Sequence, residues 1–174
     1  MSRSLTAVTM TVLLPWSALA GAQTQEEQIK RALSAAPASV GAKATVIEWE
    51  GRRVLRKGSN AYTCFISAGT PMCVDEPWLR LYEALLKGEA PPPVQKIAIG
   101  YWFQGVPRGS NEHPFATPEE TATHTIADGA PHAAILVPDR ALLESLPTDP
   151  AQGGPWVMWK NTPYAHIMVP ATRP

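Results

Sequence analysis

The clearest hydrophobic pattern in the chain is a helical one in its middle. Apolar side chains there follow the i, i+3, i+4, i+7, i+8 spacing of an amphipathic helix: Trp78, Leu81, Tyr82, Leu85 and Leu86. Asp75 is a suitable N-cap, Pro77 is tolerated in the first turn, and Gly88 provides a C-terminal stop. The pattern predicts a helix over Asp75–Lys87 whose aromatic stripe packs on a sheet.

A second helical pattern stands earlier in the chain and is rich in alanine. Thr24 and Glu27 have the spacing of a capping box, and apolar residues then recur until Pro37 ends the run. The spacing predicts a helix that begins after Thr24.

Alternating and β-branched residues predict strands in the next segment. Ala44–Trp49, Arg52–Arg56 and Tyr62–Ile66 are separated by glycine-containing turns, which is typical of an antiparallel meander. Val94–Phe103 is apolar enough to be a central strand. Between this strand and the next lies Gly105–Ala130, a long irregular segment with few apolar residues. Loops of that length are often binding loops or lids.

The C-terminal third predicts two similar strands and a hairpin. Pro131–Pro138 and Pro163–Pro170 match at five of eight positions, and a short helix capped by Asp139 lies between them. We expect Trp156–Trp159 to pair with Tyr164–Val169, with Val157 opposite His166. In that register Met158 and Met168 fall on opposite faces of the hairpin.

These elements predict one α+β domain over residues 23–174. We expect an antiparallel or mixed sheet of about five to seven strands, with the Asp75–Lys87 helix packed on one face.

The first 22 residues have the composition of a secretory signal peptide. Arg3 provides a positive charge, Leu5–Trp16 is apolar, and small residues at Ala18, Ala20 and Ala22 define two cleavage sites. The apolar run is too short to span a bilayer. We therefore expect cleavage after Ala20 or Ala22, export to the periplasm or the extracellular medium, and no membrane span in the mature protein.

The two cysteines, Cys64 and Cys73, predict one disulfide bond in that oxidising compartment. A redox pair and half of a zinc site are the alternatives. Redox pairs usually have C-x-x-C spacing, and a zinc site needs further ligands at recognisable spacing.

The charge balance limits the class of partner. The chain carries 15 basic and 15 acidic residues, and removal of Arg3 with the leader leaves a net charge near −1. A nearly neutral surface does not attract nucleic acid by electrostatics. We expect a small molecule or a protein as partner, and no nucleic acid.

One segment resembles a known group of proteins. Gly153–Pro170 carries the sequence GGPWVMWKNTPYAHIMVP. It is similar to the closing signature of a family of small exported bacterial proteins. Leu55–Asn60, followed by Tyr62–Cys64, is similar to an earlier block of that family. The resemblance implies export and a single domain. It carries over no activity and no catalytic residue, because the family has no assigned function.

Histidines are the candidates for chemistry. His132 and His166 are the candidate catalytic residues, provided that their strands lie side by side. The candidate metal ligands are His124, Asp128, His132 and His166. Copper is conceivable with Met158 and Met168 nearby in sequence, although the expected hairpin register separates these two methionines. A buried, hydrogen-bonded imidazole is the alternative for His166.

No sequence motif selects among these functions. The chain has no G-x-S-x-G elbow, no H-E-x-x-H pair and no glycine-rich phosphate loop. We expect an exported binding or interaction domain that uses Gly105–Ala130 and the edge of the C-terminal hairpin, and no cofactor. The alternative is an enzyme or metal-binding protein centred on His132 and His166.

The leader makes a direct prediction. Protein recovered from the periplasm or the medium should begin at Gly21 or Gln23, because signal peptidase cuts after small residues. N-terminal sequencing of the exported protein measures this. An intact chain that keeps Met1 and stays in the cytosol would contradict it.

Overall fold

A computed structural model describes residues 23–171 of the chain. The predicted leader therefore lies outside the described residues. The helices are α1 (Gln25–Leu33), α2 (Ala38–Gly41), α3 (Glu76–Lys87) and α4 (Pro118–Thr121), and 3-10 turns cover Arg140–Ser145 and Pro150–Gln152. The strands are β1 (Thr45–Ile47), β2 (Val54–Arg56), β3 (Thr63–Ser67), β4 (Thr70–Val74), β5 (Ala98–Trp102), β6 (Gly109–Ser110), β7 (Ile126–Ala127), β8 (His132–Leu136), β9 (Trp156–Met158) and β10 (His166–Pro170).

The fold is a single α+β domain, as predicted, built on a mixed sheet. Its strand order is β2-β1-β3-β4-β5-β8-β10-β9. The main sheet has eight strands, one above the expected range of five to seven, because the sequence analysis did not predict β4. No helix in the described range 23–171 is long and apolar enough to cross a membrane.

The predicted meander of the first three strands is wrong. β1 and β2 form an antiparallel hairpin, but β3 pairs with β1 and runs parallel to it. After the edge strand β2, the chain therefore crosses to the other side of β1 to form β3. Parallel pairing joins residues that are distant in sequence, and no local pattern indicates it.

Strand β4 follows β3 through a two-residue turn. Ala68 and Gly69 both have positive φ, at 47° and 79°, as the tight hairpin turn requires. Residues Thr63 to Ser67 pair with Val74 to Thr70. The sequence does not predict this hairpin, because alanine rarely adopts a positive φ and a proline such as Pro71 is uncommon within a strand.

The predicted central strand is confirmed, and the predicted hairpin register is wrong by one residue. β5 is the fifth of the eight strands and pairs with β4 and β8. In the β9–β10 pair, Met158 lies opposite His166 and Trp156 lies opposite Met168. A shift of one residue moves side chains to the other face. Met158 and Met168 therefore share a face with His166.

Helix α3 forms as the sequence predicts. The Asp75 carboxylate accepts from the Trp78 backbone N–H, and Gly88 ends the helix in the left-handed conformation. Trp78 and Leu81 are buried against the sheet. The Trp78 indole Nε1–H donates to the Ala134 carbonyl of β8 at 3.0 Å. This bond ties the helix to the middle of the sheet.

Helix α1 covers the opposite face at the other side of the sheet. Thr24 and Glu27 form the predicted capping box. Ala32 packs with the disulfide between Cys64 and Cys73, which are directly opposed on β3 and β4. The predicted bridge is present, and both cysteines are fully buried.

The segment 105–130 is ordered into small elements rather than irregular. β6 and β7 form a two-stranded ribbon, and α4 lies between them. At the base of the segment, the Val106 N–H donates to the Gly129 carbonyl at 2.8 Å. A Cβ on Gly129 would stand 2.0 Å from the Val106 carbonyl oxygen, so only glycine permits this closure.

The disulfide predicts a measurable loss of stability on reduction. Loop-closure entropy for so short a loop contributes about 2.5–3 kcal/mol to the free energy of unfolding. Urea unfolding of the oxidised and the reduced chain measures the difference with the same side chains present. The Cys64→Ala/Cys73→Ala variant is the control and should not respond to reductant. Two free thiols in the denatured, unreduced protein would contradict the bridge.

Candidate ligand-binding cavity

A cavity of about 520 Å³ lies between the sheet, helix α3 and the segment 105–130. The sheet face forms its floor with β4, β5, β8, β10 and β9, and α3 forms one wall. The roof is the part of the segment from Val106 to Gly129 that borders the space. The segment singled out in the sequence as a binding loop therefore covers a cavity.

Tryptophan and methionine side chains give the cavity its apolar character. The contributing residues are Trp78, Trp102, Trp159, Met72, Met158 and Met168. The Trp78 and Trp102 rings meet edge to face with their centroids 5.2 Å apart. Gly100 makes room for the Trp102 ring, because a Cβ there would stand 2.5 Å from it.

His166 lies at one end of the floor and is 4% exposed. Its Nδ1–H donates to the Tyr164 carbonyl at 2.9 Å, so the lone pair is on Nε2. Nε2 has no hydrogen bond in the described structure. Among the described residues, every side-chain nitrogen or oxygen that is fully shielded from solvent has a hydrogen-bond partner. Since Nε2 of His166 has none, it is not fully shielded and remains in contact with the cavity.

His132 repeats this arrangement at the other end. Its Nδ1–H donates to the Ala130 carbonyl at 2.7 Å, and its ring stacks on Trp102 at 5.5 Å. His132 also borders a second cavity of about 330 Å³, which is lined in part by strand β7. Strands β8 and β10 do lie side by side, and both histidines are on the same face of the sheet.

The two imidazoles are nevertheless separated along the floor. His132 pairs with Pro170, four residues beyond His166 on β10. At about 3.3 Å per residue, their backbone positions are roughly 13 Å apart along the strand. Neither ring bonds to the other or to a carboxylate in the described structure. They are two separate acceptors.

Burial keeps both imidazoles neutral. Desolvation is the main cause that lowers the pKa of His166 to about 4; the Tyr164 carbonyl opposes it, and His132 contributes to the lowering. Desolvation also lowers the pKa of His132, and the Ala130 carbonyl and Asp128 oppose this. At neutral pH each Nε2 is therefore an acceptor and a ligand atom, not a proton donor.

The remaining candidate metal ligands lie elsewhere. His124 bonds through Nδ1 to the Ser110 hydroxyl at 2.8 Å, and Asp128 accepts from the Ala130 backbone N–H. Within residues 23–171 no group of three or more His, Cys, Asp and Glu side chains is placed to hold a metal ion. The four candidates of the sequence do not form one cluster.

Ser110, His124 and Glu112 form an arrangement that the sequence did not reveal. The His124 Nε2 is 3.8 Å from a Glu112 carboxylate oxygen. The Ser110 hydroxyl oxygen accepts from the backbone N–H groups of Glu112 and His113, each at 3.1 Å. Both lone pairs of the Ser110 hydroxyl oxygen are therefore engaged, so the oxygen has none free to act as a nucleophile. We interpret the three side chains as stabilising the segment that roofs the cavity.

Asn111 fixes the roof to strand β9. Its side chain accepts from the Trp156 indole and donates to the Thr148 carbonyl. Its backbone donates to Thr125 and accepts from Trp159. The Val157 N–H on the same edge donates to Pro147. These bonds engage backbone groups on the outer edge of the hairpin, one of the two regions that the sequence analysis expects to take part in binding.

The lining of the cavity, as far as it is described, is almost free of charged side chains. Arg108 is the only side chain with a fixed charge among the described lining residues, and it is exposed. No aspartate or glutamate among the described residues lines the space. The cavity therefore accommodates neutral or anionic organic molecules better than organic cations, which would need a carboxylate partner.

Comparisons with known protein families, with curated proteins and with solved structures found no match to this chain. The resemblance of its C-terminal segment to the exported family stays a prediction. The geometry of the cavity is therefore the basis for inferring function.

The lowered pKa of His166 predicts acid sensitivity of the metal-free protein. The unfolded chain takes up a proton near pH 6.5 and the folded chain near pH 4. Stability present above pH 6.5 is therefore lost as the pH falls toward 4, by about 2 kcal/mol between pH 7 and 5. Urea unfolding of wild type and His166→Asn, whose amide can reach the same carbonyl, measures this contribution.

The exposed His113 provides the control. His113→Asn should follow the wild-type curve, while His166→Asn should lose less stability on acidification. Parallel curves for wild type and His166→Asn would show that His166 is not buried in its neutral form.

Proposed function

We propose that this chain is an exported binding domain that holds a small, mostly apolar organic molecule in the cavity of about 520 Å³. The supporting observation is the cavity itself: aromatic and thioether walls with two neutral imidazole acceptors facing in. Cavities of 300–1,000 Å³ with few polar groups are the usual form of small-molecule sites. The disulfide and the absence of a spanning helix in the described part are compatible with export.

The polar groups favour a ligand that carries a hydroxyl or an N–H. An acceptor in an apolar space loses its hydrogen bond to water when a ligand enters. A ligand donor at His132 or His166 replaces that bond, whereas a ligand without one leaves the Nε2 unpaired. The cavity therefore favours donor-bearing molecules, neutral or anionic.

An enzyme centred on the two histidines has less support. General acid–base catalysis is most efficient when the pKa of the catalytic group lies near the operating pH, whereas burial lowers the pKa of His166 to about 4 and also lowers that of His132. Here each imidazole is oriented by a backbone carbonyl, and the rings stand at opposite ends of the floor. This geometry favours recognition of a ligand over proton transfer.

Two adjacent alanines on β8 test occupation of the cavity. Ala134 lines it, whereas Ala133 faces the other side of the sheet. Ala134→Leu should weaken binding of 4-phenylphenol at least tenfold by filling the space, and Ala133→Leu should change it less than twofold. Quenching of tryptophan fluorescence measures binding. Equal effects of the two variants, or no binding to wild type, would contradict the proposal.

A matched ligand pair tests the role of the imidazole. 4-Phenylphenol should bind about tenfold tighter than 4-methoxybiphenyl, because one hydrogen bond contributes about 1–1.5 kcal/mol. His132→Phe keeps a ring on Trp102 and should reduce this preference. Equal affinity of the two probes for wild type would remove the donor requirement but leave the binding proposal standing.

A further inference from the structure

Three side chains that can coordinate a soft metal ion lie next to one another at the His166 end of the cavity floor. Met158 lies directly opposite His166 on β9, and Met168 follows two residues later on β10. Opposed residues have Cβ atoms about 4.5–5.5 Å apart, and same-face neighbours on a strand are about 7 Å apart. All three side chains border the cavity. Two flexible thioethers and one imidazole nitrogen are thus within reach of one point.

His166 is held as metal-ligating histidines are held. Such residues donate their second ring N–H to a carbonyl or a carboxylate, which fixes the ring and places the lone pair on the other nitrogen. The Nδ1–H of His166 donates to Tyr164, and Nε2 has no partner within the described residues. Because His166 borders the cavity and Nε2 is not sealed from it, the Nε2 lone pair is available to an ion bound there.

The surroundings select the kind of ion. Thioether and imidazole donors suit Cu(I), whereas hard divalent ions need oxygen ligands. No carboxylate lines the cavity in the described structure. The Trp78 and Trp159 rings lie 5.1 Å from the His166 ring and nearly perpendicular to it. Against these apolar aromatic walls a singly charged soft ion is far less costly to desolvate than a divalent one.

We propose that His166, Met158 and Met168 form a binding site for a soft monovalent metal ion, Cu(I) or its analogue Ag(I), on the floor of the cavity. An ion bound there would leave His132, the other acceptor proposed for the organic ligand, free. The site uses one of the histidines singled out in the sequence, together with two methionines that the corrected register brings beside it.

Silver is the appropriate probe because it shares the d10 configuration of Cu(I) and needs no reductant. Ag(I) added to the metal-free mature protein in chloride-free buffer should bind with one equivalent and quench tryptophan fluorescence. Native mass spectrometry gives the stoichiometry, and equilibrium dialysis gives the affinity. Zn²⁺ in the same assay should not bind at this site.

Methionine-to-leucine variants identify the ligands with little change in volume. Met158→Leu and Met168→Leu should each weaken Ag(I) binding at least tenfold, and His166→Asn should do the same. Met72→Leu is the matched control, because Met72 lines the same cavity from β4 and should bind Ag(I) as wild type does.

The outcomes separate this proposal from the organic ligand. Binding of 4-phenylphenol to Met158→Leu confirms that the variant is folded and keeps its cavity. No single equivalent bound to wild type, or equal loss in Met72→Leu, would overturn the metal site whether or not the organic probe binds. Loss of Ag(I) binding only in the three ligand variants would support it.

Discussion

The hydrogen bond from the Trp78 indole to the Ala134 carbonyl determines where helix α3 lies on the sheet. Ala134 belongs to β8, which pairs with β5 on one side and β10 on the other. The same indole packs against Trp102 on β5 and His166 on β10. One side chain thus joins the helix to three strands. The cavity lies beside this contact, bounded by the part of α3 from Leu81 to Leu85.

Hydrogen bonds also fix the position of the segment 105–130, which forms the roof of the cavity. At one point Gly129 closes the segment onto Val106, and at another Asn111 satisfies all its polar groups with partners on the roof and around β9. A fully bonded buried amide is costly to displace, because its partners would be left unpaired. The space therefore exists before any ligand arrives, and little ordering is needed on binding.

Local features of the sequence predicted much of the fold. The caps of α1 and α3, the disulfide and the central strand β5 each depend on residues close in sequence or on one physical rule. The parallel pairing of β1 with β3 depends on distant residues, and the turn at Ala68 requires a conformation that alanine rarely adopts. The roof did carry an unused signal, the Thr117–Glu120 capping box that begins α4.

The candidate site was harder to predict than the fold, for a specific reason. The sequence identifies the two histidines as candidate site residues. Which side chains surround His166, however, depends on the length of the β9–β10 connection. Trp159 leaves the strand with a φ of 56°, which ends β9 one residue before the expected register assumes.

That single residue decides which donor atoms surround His166. In the expected register Met158 faces away, and in the observed one it stands beside the imidazole. The chemistry of a strand-borne site is therefore as sensitive to a turn conformation as to the identity of its ligands.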